Sequence, residues 1–403
     1  MCFVTVPHPL GMISKEEVNA KVDAAFDDIV KAATAWTPSK EKQDAQVKPY
    51  PAKRFKFSGT YADVNDMFQK RKWSLSLPIV PPTVDKVAAM LKGTKRNPAE
   101  VLWVVPPRQG MLTVELVAAL GVMAGAKPEH MPLLIATVEA MADPVAAWRG
   151  PTTTTAATVP VFFISGPIIE KLKLNPGTGT AGGENPVTNA LGYFVGDVVG
   201  GSVPPNFDKS THGSSADLVA MVFTENAKEN PWKTTYAEEA GFKPGDSIVT
   251  HFSAYLGNAN IDHDSKTGQR LLTTLSTGLL GSASGLASCL ADYDATYAIN
   301  NKVSFAFIVL CPEHAATIAK DFPDQRAARD FMRETAAMPY KFYSQETCVP
   351  GKDFGPYDEN TFIPRFKKTE SIKFFVSGGP GKQSQIWVPF PQVFKPVSKK
   401  IAE

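Results

Sequence analysis

The 403-residue chain is short of the groups that announce familiar chemistry. Its 4 cysteines, Cys2, Cys289, Cys311 and Cys348, are scattered and form no CxxC pair. That argues against both a disulfide framework and a structural zinc site. The 6 histidines make neither HxH nor HExxH. Charge of one sign is also lacking. The formal net charge is +2, which is not the electrostatic footprint of a nucleic-acid binder. Lysines gather in residues 40–56 and 395–400, and such runs read as solvated surface. No stretch approaches the roughly 18 uninterrupted apolar residues of a membrane helix. The start, Met1-Cys2-Phe3-Val4-Thr5-Val6-Pro7-His8, lacks the basic flank and apolar segment of a signal peptide. The expectation is a cytoplasmic protein with neither a nucleic-acid nor a membrane partner.

What is present is an ordinary globular composition, 43% hydrophobic and 20% charged. The length suits two packed domains, or one large domain with an arm. Residues 14–35 read as an amphipathic helix, because Val18, Val22, Ala25 and Ile29 recur at helical spacing. Residues 36–60 are rich in Pro and Lys and read as an irregular connector. Residues 1–72 are therefore expected to form an N-terminal helical arm and connector. Such an arm packs on a neighbouring subunit, so a homo-oligomer is expected. Residues 73–300 read as the main α/β domain, and 301–403 as a C-terminal α/β portion that completes the site.

From Trp73 onward a short apolar strand repeatedly runs into a turn of Pro, Gly or Ser. Residues 101–105 lead into Pro106-Pro107-Arg108, and residues 159–164 into Ser165-Gly166-Pro167. Residues 303–310 lead into Cys311-Pro312-Glu313-His314, and residues 371–376 into Ser377-Gly378-Gly379-Pro380-Gly381. Apolar runs without alternation suit strands buried on both faces. Helices are predicted over 114–125, after Thr113 as N-cap, and over 128–142 and 312–320, each opened by a proline. Pro186 opens a further one to about Val199, and a strand runs from Ser247 to His251. The predicted class is α/β, with mostly parallel sheets flanked by helices and an N-terminal helical arm. No repeat of 20–50 residues stands out.

Open α/β sheets bind ligands beyond the carboxyl ends of their strands. That rule directs attention to Arg108, Ser165, Cys311, Glu313, His314, Ser377 and Lys382. Cys311 would stand at a helix N-terminus, where free N–H groups favour a thiolate, with His314 in the same turn as acid or base. The plainer reading is a small apolar residue ending a buried strand. Gly177-Thr178-Gly179-Thr180-Ala181-Gly182 matches GxGxxG, but the preceding strand ends about ten residues earlier, so the dinucleotide context is missing. Gly378, Gly379, Gly381 and Lys382 lack the Walker spacing, yet either cradle an anion with backbone N–H groups or make a tight turn. Gly281-Ser282-Ala283-Ser284-Gly285 has Ala283 where a nucleophile elbow needs Ser. Asp262-His263-Asp264 groups donors in the polar stretch 258–268, and a metal site and a surface turn both account for it. No other cofactor is indicated. His251 reads as a packed histidine. Glu115, in the first turn of an apolar helix, and Glu225, after an apolar strand, are candidate general bases.

Several segments in order resemble the long relatives of the UGSC-type (seleno)protein family, from about Leu77 to Ile401. They include Leu77-Pro78-Ile79-Val80-Pro81-Pro82-Thr83, Thr113-Val114-Glu115 and Val122-Met123-Ala124-Gly125-Ala126-Lys127-Pro128-Glu129. Gly166-Pro167-Ile168, Glu225-Asn226, Asn230-Pro231-Trp232, Cys311-Pro312-Glu313-His314-Ala315 and Ser377-Gly378-Gly379-Pro380-Gly381-Lys382 follow. Ala126 stands where relatives often have Cys, Ser165 where Asn is common, and Tyr193 where Arg is common. The Sec/Cys-Gly-Ser-Cys motif itself is absent, so its thiol–selenol chemistry does not transfer. The resemblance points to the place of a site, with no reaction attached.

Together these readings lead to an enzyme acting on a small anionic or carbonyl-bearing organic molecule by proton transfer, of lyase, hydratase or hydrolase type. Arg108, Ser165, Asn226, Ser377, Lys382 and the 378–381 loop would hold the substrate. His314, Glu115 or Glu225 would move protons, with Cys311 as nucleophile. The alternatives are a thiol-linked reductase component using Cys311, and a non-catalytic binding or assembly protein.

Overall fold

The computed structural model describes residues 4–7, 13–35, 50–71, 73–74, 78–106, 109–151, 158–181, 220–254, 257–281, 305–342, 358–390, 393 and 395–402. Two compact units are present, Met1–Lys48 and Pro49–Glu403. In the first, helix α1 spans Lys15–Thr34 and is opened by a reciprocal capping box between Ser14 and Glu17. Its apolar stripe is exposed at Val22, Phe26, Ile29 and Val30.

The second unit opens with α2 (Tyr61–Lys70), which falls within the arm expected over residues 1–72. Its Phe68 packs with Ile79 and Met123, so residues 50–71 belong to the larger unit. There follow α3 (Val84–Leu91), β1 (Val101–Val105), β2 (Gly110–Thr113), α4 (Val114–Met123) and α5 (Met131–Ala142). Among the described residues, strand β1 pairs only with β2, as an antiparallel hairpin with Val101 and Val104 exposed. It is not the doubly buried strand that its apolar run suggests. The predicted helix from Pro128 starts with a single 3-10 turn before α5.

The body is made by β3 (Val159–Ser165), α6 (Ile168–Lys171), β4 (Met221–Thr224), α7 (Tyr236–Glu239), β5 (Ile248–Ala254), β6 (Asn258–Ile261) and α8 (Gly268–Gly281). After these come β7 (Ala306–Leu310), α9 (Pro312–Asp321), α10 (Gln325–Thr335), the small pair β8 (Ala337–Pro339) and β9 (Phe362–Pro364), then β10 (Ile372–Val376), β11 (Gln383–Trp387) and β12 (Val397–Lys400). The helix predicted from Pro186 lies outside the described residues.

Two four-stranded sheets result, ordered β12-β5-β3-β4 and β10-β7-β11-β6. Both are mixed, which corrects the expectation of mostly parallel sheets. Among the described residues only β3–β4 and β7–β10 are parallel pairs, while β5, β12, β11 and β6 join antiparallel. The two sheets have the same plan: a central strand (β3, β7), a parallel edge partner (β4, β10) and an antiparallel partner (β5, β11). The fourth strand is exchanged. β6, which follows β5 in sequence, joins β11 in the second sheet, and β12, which follows β11, joins β5 in the first.

Side-chain alternation fixes the layering. Val161 and Phe163 of β3 face Phe307 and Val309 of β7 in a shared core. Phe163 and Phe307 stack with centroids 4.3 Å apart, and Phe375 meets Phe163 edge-on at 4.8 Å. Such pairs add about 0.5–1.5 kcal/mol each beyond burial. The other faces are helix-covered. Phe162 and Ile164 pack beneath α4 and α5, and Ile308 and Leu310 pack beneath α8, α9 and α10. The architecture is a four-layer α/β/β/α sandwich. An aromatic spine between the sheets explains why apolar runs without alternation marked β3 and β7 in the sequence.

Candidate active site

The parallel edge strands carry their carboxyl ends to one place and are stitched together there. Asn226 N–H donates to the Val376 carbonyl (2.8 Å), and its side-chain amide donates to the Gly378 carbonyl (3.0 Å). In return, Ser377 Oγ donates to the Thr224 carbonyl (2.6 Å). Gly378 N–H is taken by the Pro176 carbonyl (2.8 Å), so the 175–181 glycine loop packs on the 378–381 loop. A Cβ on Gly379 would lie 2.0 Å from Thr178 Oγ1. Asn226, Ser377, Gly378 and Gly379 therefore join the two sheets. Residues 182–219 lie outside the described residues.

Ser165 and Glu225 meet at the ends of β3 and β4. Ser165 Oγ donates to Glu225 Oε2 and accepts from Ala237 N–H (3.1 Å), and Glu225 Oε1 accepts from Tyr236 N–H (2.7 Å). Glu225 is buried, and burial pushes its carboxyl up, against the pull of Ser165 and Tyr236. Both carboxylate oxygens are engaged, so this pair fixes α7 against the first sheet. Gly166, the next residue, has φ +100, and a Cβ there would lie 2.2 Å from the Asp246 carbonyl. Only glycine fits this turn.

The second half holds a different set. Cys311 caps α9, and its N–H donates to Ser384 Oγ (3.3 Å). His314 Nδ1 lies 2.8 Å from the same hydroxyl, and Nε2 lies 3.1 Å from the Asp262 carbonyl. A carbonyl only accepts, so Nε2 carries the proton and Nδ1 is left to accept from Ser384 or the thiol. Cys311 is 6% exposed and His314 2%. Burial opposes ionisation of the thiol, but the His314 ring and the backbone N–H groups of His314 and Gln383 outweigh it and hold the Cys311 pKa below its usual value. Burial likewise disfavours the imidazolium, yet Cys311 and the Asp262 carbonyl raise His314 above its usual value. Opposite shifts favour a thiolate–imidazolium pair. Ser384 is not marked as a site residue by the sequence, because a serine in a strand of mixed polarity carries no signal without its strand partner.

The 378–382 loop does cradle a carboxylate, and that carboxylate is the chain's own. Glu313 Oε2 accepts from Gly381 N–H (2.7 Å) and Lys382 N–H (2.9 Å). These donors are engaged and are not free for a substrate. The Lys382 ammonium reaches the His263 carbonyl (3.2 Å). The Asp262 carboxylate is held by Ser265 (2.8 Å) and Thr274 (2.6 Å), and its pKa falls to about 2, because these and neighbouring N–H bonds overcome its burial. The 262–264 stretch is thus a braced turn. No group of three His, Cys, Asp or Glu among the described residues is placed to hold a metal ion.

Glu115 does not join the rim. Its carboxylate accepts from Ala52 N–H (2.7 Å) and Arg54 Nη2 (3.1 Å), and its own N–H donates to the Pro98 carbonyl (3.0 Å). Arg108, Ser282 to Gly285, Cys2, Cys289 and Cys348 lie outside the described residues. His251 is a packed histidine. It stacks on Phe162 (4.6 Å), and burial lowers its pKa to about 3 despite a bond to the Val161 carbonyl.

Fold and site together define a four-layer α/β/β/α protein with a buried thiol–imidazole–hydroxyl cluster at one strand end. No family model, no curated protein and no solved structure matches the chain. No helix among the described residues is long and apolar enough to cross a membrane.

Proposed function

We propose that this chain is an enzyme acting on a small anionic or carbonyl-bearing organic molecule, with Cys311 and His314 as the reacting pair and hydrolysis as the best-supported reaction. The observation that carries the reading is the oriented cluster: His314 Nδ1 is 2.8 Å from Ser384 Oγ, and Nε2 is anchored on the Asp262 carbonyl. Cys311 Sγ would attack the carbonyl carbon while His314 holds the thiol proton. His314 would pass that proton to the leaving group as the bond to it breaks. Water, deprotonated by His314, would then cleave the thioester and regenerate the thiol. Lys382 supplies positive charge two residues before Ser384. A cytoplasmic, reducing location keeps Cys311 a thiol. The resemblance to long UGSC-type relatives accords with this, since two of its segments are 311–315 and 377–382.

The test is turnover of p-nitrophenyl acetate together with the pH profile of iodoacetamide alkylation. We expect C311A and H314Q each to lower turnover at least about 100-fold. The alkylation midpoint is expected below the ordinary thiol value of about 8.5, moving upward in H314Q. Unchanged turnover in C311A, with an ordinary Cys311 midpoint in the wild type, would assign the cluster to packing.

The same protein is proposed to be a homo-oligomer through its N-terminal arm. The support is the exposed stripe of α1, where Phe26 is 57% exposed and Val22, Ile29 and Val30 each stand about one turn away. The occupant of that stripe is a second copy. Light scattering is expected to give a multiple of the chain mass for the wild type and a smaller mass for F26D. A monomeric wild type overturns it.

A further inference from the structure

A cavity far in sequence from Cys311 carries a second inference, independent of the proposed reaction. It encloses about 590 Å³ between α2, α3 and α4, within the range of about 300–1,000 Å³ usual for small-molecule sites. Met67, Val87, Leu91, Leu116, Leu120 and Met123 form its apolar wall. Three aromatic side chains stand at its lip and are left partly in solvent: Phe55 (48% exposed), Phe57 (43%) and Trp73 (38%). Single exposed apolar residues mean little, but a concave group of them marks a binding surface.

The charges at this lip are unequal. Lys53 and Arg54 line the cavity, and the Arg71 guanidinium lies 4.8 Å from the Trp73 ring centroid and 5.4 Å from that of Phe55. Among the described residues that line it, the one carboxylate is Glu115, and its two oxygens are engaged by Ala52 N–H and Arg54. Arg54 remains 59% exposed and has further N–H donors to give. An apolar cavity with surplus guanidinium and ammonium at its mouth is complementary to an apolar body with a negative head.

We propose that this cavity is a binding site for a free single-chain carboxylate amphiphile of the medium-chain fatty-acid class. The chain would lie against the α3 and α4 wall. The carboxylate would sit at the lip between Arg54 and Arg71, where a guanidinium offers paired N–H donors.

The probe is 1-anilinonaphthalene-8-sulfonate, displaced by dodecanoate below its micelle concentration. Dodecanol and dodecyltrimethylammonium serve as head-group controls. We expect saturable displacement by dodecanoate, at least about tenfold tighter than by either control. Arg71→Glu, at an exposed position, is expected to weaken dodecanoate about tenfold. Ala88→Trp, on the exposed side of α3 and lining the cavity, is expected to abolish displacement with an unchanged thermal melt. Equal displacement by all three head groups overturns the proposal, as does an unaltered Ala88→Trp variant. It is equally overturned by dodecanoate being inert while Ala88→Trp halves the mass in solution, since a second copy then fills the cavity. Binding to anionic vesicles without displacement by monomeric dodecanoate has the same effect. None of these readouts depends on Cys311, so failure here and failure of the proposed reaction are distinguishable.

Discussion

The first and second halves of the sandwich place different chemistry on the same strand plan. At the end of β3, Ser165 and Glu225 bond to each other and to the N–H groups of Tyr236 and Ala237. At the end of β7, Cys311, His314 and Ser384 meet, and two of the three titrate towards one another. A serine also recurs at the antiparallel partner. Ser247 accepts from Ile168 N–H (2.9 Å) just after β3, and Ser384 accepts from Cys311 N–H (3.3 Å) just after β7. The fold thus supplies one geometry twice. One copy locks the structure, and the other brings a thiol, an imidazole and a hydroxyl together.

The sharpest way to break that comparison is to weigh the two ends for stability. Glu225→Ala leaves Tyr236 N–H and the Ser165 hydroxyl without their acceptor in a buried place. It is expected to cost about 3 kcal/mol in urea unfolding. Cys311→Ala removes a small thiol and is expected to cost about 1 kcal/mol. Equal losses would mean that both ends are structural.

Next in size is the stitch between the sheets. Asn226→Ala removes the bond from its amide to the Gly378 carbonyl and leaves that acceptor bare, at an expected cost of about 1–2 kcal/mol. Because the contact joins the two edge strands, the loss should appear as lower hydrogen-exchange protection at both β4 and β10. Loss confined to β4 would show that this amide does not couple the two edge strands.

A smaller pair of substitutions separates architecture from chemistry. Ser247→Ala and Ser384→Ala each remove one hydroxyl acceptor at a helix start, and each is expected to cost about 1 kcal/mol. Only Ser384→Ala is expected to move the pH midpoint of Cys311 alkylation, because only that hydroxyl touches a titratable ring. A midpoint unmoved in Ser384→Ala would remove the hydroxyl from the reacting cluster.

Much of this was legible in the sequence where the physics is local. Thr113 and Pro312 announce helix starts, and the apolar runs at 159–164 and 303–310 announce the central strands. The Cys311-Pro312-Glu313-His314 turn was legible because one helical turn brings the thiol and imidazole together whatever surrounds them. What was not legible depends on pairing at long range. The exchange of β6 and β12 makes the sheets mixed and hides a two-fold plan that no sequence repeat records. Glu313 reads only as one more rim residue, and the 378–382 loop as an anion cradle or a tight turn, until the fold brings one to the other. Residues 101–105 misled because apolar composition does not distinguish a buried strand from a hairpin edge.

The smallest expected effect is a difference in pH response between the halves. Burial raises the Glu225 pKa, so the stability it contributes is fully present below its unfolded value of about 4.3 and is lost as pH rises through the folded value. Glu225→Gln keeps the shape and an acceptor for Tyr236 while removing that titration. At neutral pH its stability is expected to match the wild type within about 1 kcal/mol, with a flatter profile above pH of about 4.3. The second half should respond elsewhere. The lowered Cys311 pKa contributes stability above its unfolded value that is lost as pH falls through the folded one. The raised His314 pKa contributes stability below its unfolded value that is lost as pH rises through the folded one. C311A should therefore leave the acid limb unchanged and alter the profile only from near neutrality upward. An altered acid limb in C311A would show that the two ends titrate as one network.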